Sequence, residues 1–333
     1  MHLSDEKLCA LTSGQIRMVQ PGDGYVSFRR FSEAQEARIS ERFGKRTAAS
    51  SGMFIELEGD VKRIAFDYRV EIVSSRPFFG FSVLENGVKQ GGFVRRAEFE
   101  EGTFSYEPTA PGRLTIYLPN LHVTSLRNVE IEGAFRPVAR RRKLFIAGDS
   151  ITMGFDAEHP ERCFSNRLTE AMFASPLNQA IGGDVFRETN LEDLPDFTPD
   201  VVAVNYGTND WARERDVRTA ADAYLKKLAE CFPGAGRFVI LPIWRTSEGT
   251  VKEKTGWTIQ DVREIIAEAA LRYGCTVIPG IDLIPHDPAM FSDGKVHPND
   301  TGFDHYADNL IREFRSIAPD LIQDPAAVFE QKT

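Results

Sequence analysis

The chain has 333 residues, 42% of them hydrophobic and 27% charged, with a formal net charge of -9 at pH 7. That length suggests about two domains, and the acidic balance excludes nucleic acid and anionic membrane as main partners, because neither field attracts it. The segment Met1–Lys7 lacks the apolar core of a signal peptide, and no run of about 18 apolar residues occurs, so no leader and no membrane-spanning helix are expected.

Cys9, Cys163, Cys231 and Cys275 are scattered, without a CxxC pair or a metal spacing. They read as free thiols of a cytoplasmic protein, in which the sequon at Asn299 carries no sugar.

Residues 1–137 read as β-rich. Apolar and polar residues alternate along Phe54–Glu58, Arg63–Val73 and Arg113–Leu118, and Phe79–Leu84 is a shorter run of the same kind. Glu85-Asn-Gly and Glu101-Gly read as turns between strands. Only Ser32–Phe43 carries a helical period. Short strands broken by Gly, Pro and Asn predict a β-sandwich of jelly-roll type. Its aromatics, Tyr25, Phe28, Phe54, Phe66, Tyr68, Phe78, Phe79 and Phe81, read as core rather than as a binding platform. The charge run Val138–Lys143 reads as a solvated linker.

From 143 to 333 the period changes. Leu144–Ala147, Val201–Val204, Phe238–Leu241 and Cys275–Ile278 are continuous apolar runs, as expected of parallel strands covered on both faces. Helical periods fall between and after them, over 161–174, 217–232, 258–273 and 301–315. This alternation predicts a three-layer α/β/α domain of flavodoxin-like type.

In such sheets ligands bind where the strands end. Gly148-Asp-Ser150 follows the first run. A serine there presents its hydroxyl to the cleft, or else caps a helix. It is not the GxSxG elbow, because Thr152 stands where the last glycine would be. Asn205-Tyr-Gly-Thr-Asn209-Asp210 follows the second run, where an Asn amide can face a developing oxyanion. Between them, Gly182-Gly183-Asp184 allows close backbone approach to a ligand. Near the end, Asp293-Gly-Lys-Val-His297 sets a carboxylate before a histidine that it can orient.

These four segments, in this order, resemble the four blocks of the SGNH (GDSL-like) hydrolase family, over about residues 143–315. The resemblance implies Ser150 as nucleophile, His297 as general base and Asp293 as its orienting acid. It implies an oxyanion hole made of the Ser150 and Gly183 backbone N–H groups and the Asn209 amide. The family's usual spacing is DxxH, and here it is one residue longer. Either Gly294 absorbs the extra residue, or a backbone carbonyl orients His297. Trp244 and Arg245, after the third run, read as substrate contacts, for stacking and for an anionic group, or as packing with a surface charge.

A β-sandwich ahead of such a domain resembles the two-domain carbohydrate acetyl esterases. This implies cleavage of small acyl esters, acetyl foremost, on small molecules or oligosaccharides. No metal or organic cofactor is required. The sandwich then walls the cleft, binds glycan, or supplies stability or homo-oligomer contacts. The alternatives are a thioesterase or acyl transferase using the same residues, and a carbohydrate-binding protein with a relic hydrolase half.

Overall fold

The structure, a computed structural model, describes residues 2–39, 41–97 and 99–323. Residues 324–333 of the expected 143–333 unit therefore lie outside the described residues.

The second half contains β10 (Arg142–Gly148), α4 (Ser150–Met153), α5 (Phe164–Met172), β11 (Ala174–Asn178), β12 (Val201–Asn205) and α6 (Thr208–Ala212). It continues with α7 (Val217–Cys231), β13 (Gly236–Ile240), α8 (Ile259–Arg272), β14 (Thr276–Ile278) and α9 (Asp300–Ile317). The five strands are all parallel, in the order β11-β10-β12-β13-β14. Phe145, Val202, Val204 and Val239 pack under α7 and α8 on one face. Leu144, Ile146, Ala203 and Ile240 meet α5 and α9 on the other. Burial on both faces explains the continuous apolar runs within β10, β12 and β13. Strand order reverses between β10 and β12, whose ends pair Gly148 with Asn205. A ligand cleft is expected at that switch point.

The first half contains α1 (Asp5–Leu11), β1 (Thr12–Ser13), β2 (Arg17–Gly22), β3 (Tyr25–Arg29), α2 (Glu33–Arg38) and α3 (Glu41–Thr47). Its remaining strands are β4 (Phe54–Glu71), β5 (Phe78–Glu85), β6 (Val88–Arg96), β7 (Phe99–Tyr106), β8 (Gly112–Tyr117) and β9 (Val123–Pro137). All nine strands belong to one antiparallel network that branches at β4. The start of β4 pairs with β8, its end pairs with β7, and β9 runs along its other edge. The β8-β5-β6 arm folds back over the β7 end. Phe81 meets Phe66 at 5.9 Å and Phe104 at 5.6 Å between ring centroids. The aromatics expected in the core are all buried.

Three details correct the sequence reading. Glu101-Gly102 is not a turn but lies inside β7. Gly102 pairs with Tyr68, and a Cβ there would sit 2.6 Å from the Tyr68 hydroxyl, so the glycine makes room for the ring. The runs at 54–58 and 63–73 are parts of one long strand rather than two. The charge run at 138–143 is exposed at Ala139, Arg141 and Lys143, as a solvated linker would be, but not at Arg140. The Arg140 side chain is only 1% exposed and binds Glu56 of β4 and Glu170 of α5, which also take Arg113. Asn86-Gly87, by contrast, forms the expected hairpin turn, with φ of 52° and 81°.

The halves share a core. Ala49, Phe78 and Leu121 pack with Met153, Phe155 and Ala180, and Phe31, Ile39 and Phe43 with Ile181. Arg30 is fully buried between them. Its guanidinium donates to the carbonyls of Ala49 (2.7 Å), Arg46 (2.9 Å), Ala180 (3.0 Å) and Asn178. Two of these acceptors lie in the segment that leaves β11 toward Gly183. Arg30→Met would strand four buried carbonyls, at about 1–3 kcal/mol each when wholly unmet. We expect a loss of about 3 kcal/mol or more in urea unfolding. A loss below about 1 kcal/mol would contradict the role given to Arg30.

Candidate active site

The chain leaves β10 at Gly148, and Asp149 caps α4 by accepting from the Ile151 N–H at 3.0 Å. The cap is thus Asp149 and not Ser150. This places Ser150 in the first turn, where its backbone N–H has no intrahelical acceptor. Its hydroxyl is free to turn away from the helix, and Oγ lies 3.0 Å from His297 Nε2.

His297 comes from the loop before α9. Its Nδ1 lies 2.7 Å from Asp293 Oδ2. The carboxylate can only accept, so Nδ1 carries the proton and the Nε2 lone pair faces Ser150. Gly294, at φ 64°, turns the chain so that the longer DGKVH spacing still closes. Asp293 Oδ1 accepts from the N–H groups of Lys295 (2.8 Å), Val296 (2.8 Å) and His297 (3.2 Å). Burial pushes this carboxyl up, but the hydrogen bonds from His297 and the three backbone groups outweigh it and hold it well below the usual carboxylate range. The imidazole also lies against the Phe155 ring, at 5.0 Å between centroids. Arg76, from the first half, covers that ring at 4.4 Å and binds Asp156 through both carboxylate oxygens.

Gly183 takes φ 84° in the loop after β11. Among the described residues, neither its backbone N–H nor that of Ser150 has a protein acceptor. Asn209, in α6, reaches the same place. Its Nδ2 donates to Asp149 Oδ2 at 3.2 Å and to the Asp184 carbonyl at 3.0 Å. Asp184 holds Arg187 and Asn190, and Asp210 holds the Phe186 N–H and Arg215, so both acids brace this loop.

Trp244 stacks on His286 with ring centroids 5.3 Å apart and planes at 10°. Arg245 lies over the Trp211 ring at 4.4 Å. Asp287 caps the turn at Ala289 rather than reaching His297. Among the described residues, no group of three or more His, Cys, Asp or Glu side chains is arranged to hold a metal ion. Sequence reasoning missed Arg30, Arg76, Gln35 and Gln179, which support the site from behind. Gln35 and Gln179 bond side chain to side chain at 2.9 Å across 144 positions, a pairing that no local pattern signals.

Residues 146–305, from β10 into α9, match the family model of the GDSL-like lipase/acylhydrolase family. Those residues form a GDSL-like lipase/acylhydrolase domain. Ser150, Gly183, Asn209, Asp293 and His297 all lie within the match. No curated protein matches the sequence. The whole two-part fold is shared more widely. A salicylyl acyltransferase from a tetracycline biosynthetic pathway is 17% identical with a TM-score of 0.80, over 94% of this chain and 96% of that one. A family two carbohydrate esterase from Cellvibrio japonicus is 15% identical with a TM-score of 0.62, over 94% and 96%. One from Clostridium thermocellum, in complex with cellohexaose, is 15% identical with a TM-score of 0.61, over 92% and 98%. The acylhydrolase domain and the β-rich half therefore recur together as one fold.

Beneath the acylhydrolase site, burial pushes the Asp149 carboxyl up to about 7, with Asp210 and Asp184 adding to the rise against the pull of the Ile151 N–H and His297. An unfolded aspartate loses its proton near about 4. Between these values the folded state binds more protons, so stability falls as pH rises through the window. Asp149→Asn has no proton to lose there. Its stability relative to the native protein should climb from pH 4 to pH 7 and level off above, as read by thermal unfolding. A flat or falling difference would contradict the buried, protonated carboxyl.

Proposed function

We propose that the protein is a serine esterase that cleaves small acyl esters, acetyl foremost, through an acyl-serine intermediate. The observation that carries this reading is the unbroken line from Ser150 Oγ through His297 to Asp293. His297 Nε2 takes the hydroxyl proton as Ser150 attacks the ester carbonyl. Asp293 keeps the proton on Nδ1 and offsets the charge of the imidazolium. The oxyanion forms against the Ser150 and Gly183 N–H groups. Asn209 joins them by exchanging one of its two present acceptors for the new oxygen. The alcohol leaves with the proton from His297, and water, activated by the same imidazole, releases the acid.

Acetyl esters of carbohydrates are the first substrate class to test, because carbohydrate esterases share the whole fold at low identity. Transfer to an acceptor other than water would use the same residues, and the acyltransferase of the same fold makes it the second reading. Product analysis separates the two. Free acid matching the ester consumed supports hydrolysis, and acid appearing only as an acceptor ester supports transfer.

Turnover of p-nitrophenyl acetate should vanish in Ser150→Ala, and shorter acyl chains should be preferred. Turnover that survives would sink the nucleophile. Asn209→Ala should lower kcat by about 10²–10³, and Asp293→Asn, which misdirects the tautomer, by about 10⁴. An Asp293→Asn enzyme within threefold of native would mean that the carboxylate is not needed.

A further inference from the structure

Almost every buried arginine here has its charge met. Arg30 is ringed by carbonyls, and Arg140 and Arg113 share Glu56 and Glu170. Arg263 takes both oxygens of Glu248 and the carbonyls of Pro242 and Ile243. Two arginines keep an unmet buried donor and no acidic partner: Arg237, whose Nη1 turns to the carbonyls of Phe232 and Pro233, and Arg245, which stands at the cleft end of the sheet. The Arg245 Nε donates to Ser247 Oγ at 2.9 Å, and its Nη1 is buried with no hydrogen-bond partner. Glu248, three residues on, is already spent on Arg263. Among the described residues no carboxylate lies within ion-pair distance of Arg245.

Its position is as telling as its lack of partners. Arg245 follows β13, at the sheet end where Ser150 follows β10 and Asn209 follows β12. The indole beneath it belongs to Trp211, two residues after Asn209. On the other side, the Thr246 N–H donates to the Lys295 carbonyl at 3.2 Å, inside the loop that carries Asp293 and His297. A second cation, Lys252 Nζ, sits 4.3 Å from the same indole, again without a carboxylate partner among the described residues. A chain of net charge -9 thus leaves two cations without an acidic partner on one aromatic ring, two residues from Asn209. Arg245 is half-buried, and burial makes its guanidinium easier to deprotonate, against the opposing pull of Glu248, Asp293 and Asp149. A half-buried cation with an unmet donor gains from an incoming anion.

We infer that Arg245, backed by Lys252, anchors a carboxylate on the substrate, so that the preferred esters are anionic. The planar two-oxygen group matches the guanidinium fork, which a lysine in that place would not. This inference rests on the esterase reading and narrows its substrate class.

The test compares kcat/KM within two ester pairs. Phenyl acetate against 3-carboxyphenyl acetate places the charge on the alcohol side. 4-Nitrophenyl pentanoate against the mono-4-nitrophenyl ester of succinate places it on the acyl side. In at least one pair the native protein should favour the charged ester tenfold or more. Arg245→Gln should cut that ratio at least fivefold, and Arg245→Lys should restore only part of it. No preference in either pair, or a preference that Arg245→Gln retains, overturns the inference. If Arg245→Gln does not fold, the native protein decides alone: benzoate should inhibit competitively where benzamide does not, and equal inhibition by the two overturns the anchor. Ser150→Ala, run on the same four esters, keeps the two readings apart. Turnover lost in that variant upholds the nucleophile whatever the charge ratio shows, and turnover retained sinks the esterase reading itself.

Discussion

One guanidinium holds the arrangement together. Arg30 comes from the β-rich half, is fully buried, and spends its donors on carbonyls from both halves, two of them in the segment that runs from β11 to Gly183. Burial lowers its pKa to about 9, against the pull of Glu36, which is the cost of placing a cation there. Carbonyl dipoles and not an ion pair meet that charge, and they fix the loop because each acceptor is a backbone atom. Gln35 and Gln179 repeat the device, with Gln179 also bonding the Arg30 carbonyl at 2.7 Å. The conformation of the Gly183 loop is therefore set in part from outside the acylhydrolase domain. This gives the β-rich half a physical role whether or not it touches substrate.

The catalytic line is held by a similar economy of fixed groups. Asp293 is locked by three backbone N–H groups before it meets His297, so little reorganisation remains when the imidazole becomes charged. His297 is in turn packed on Phe155, which Arg76 of the other half covers. The charges around the site are arranged in opposition. Asp149, Asp184 and Asp210 lie buried below it, with carboxyls pushed upward by burial. Arg245 and Lys252 stand beside it without acidic partners of their own. Acidic groups thus lie under Ser150, and cationic groups stand beside the cleft.

Much of the acylhydrolase half was legible in the sequence, because the stretch of a strand buried on both faces has to be apolar, and four of the five strands carry such a run. The fifth, β11, escaped notice because it is an edge strand containing Ser175 and Pro176, which such a position tolerates. Ser150 and His297 could be read from their blocks. The longer spacing between Asp293 and His297 was harder, since only the left-handed turn at Gly294 shows that it closes. The β-rich half was less legible. The Phe54 and Arg63 runs looked like two strands because Gly59 and Asp60 interrupt the alternation, yet β9 pairs across the break with a register shift at Val61/Arg63. Arg140 looked like part of a wet linker because its partners, Glu56 and Glu170, lie 84 and 30 positions away. Long-range ion pairs leave no local trace, and neither does the reach of Arg30.

The central claim is that Ser150 is made nucleophilic by His297 within this scaffold. Its most direct test is labelling with a fluorophosphonate, followed by digestion and mass measurement of the peptides. The account predicts a single adduct on Ser150, all but absent in His297→Ala. Native protein that stays unlabelled, or a label on any other residue, would contradict it.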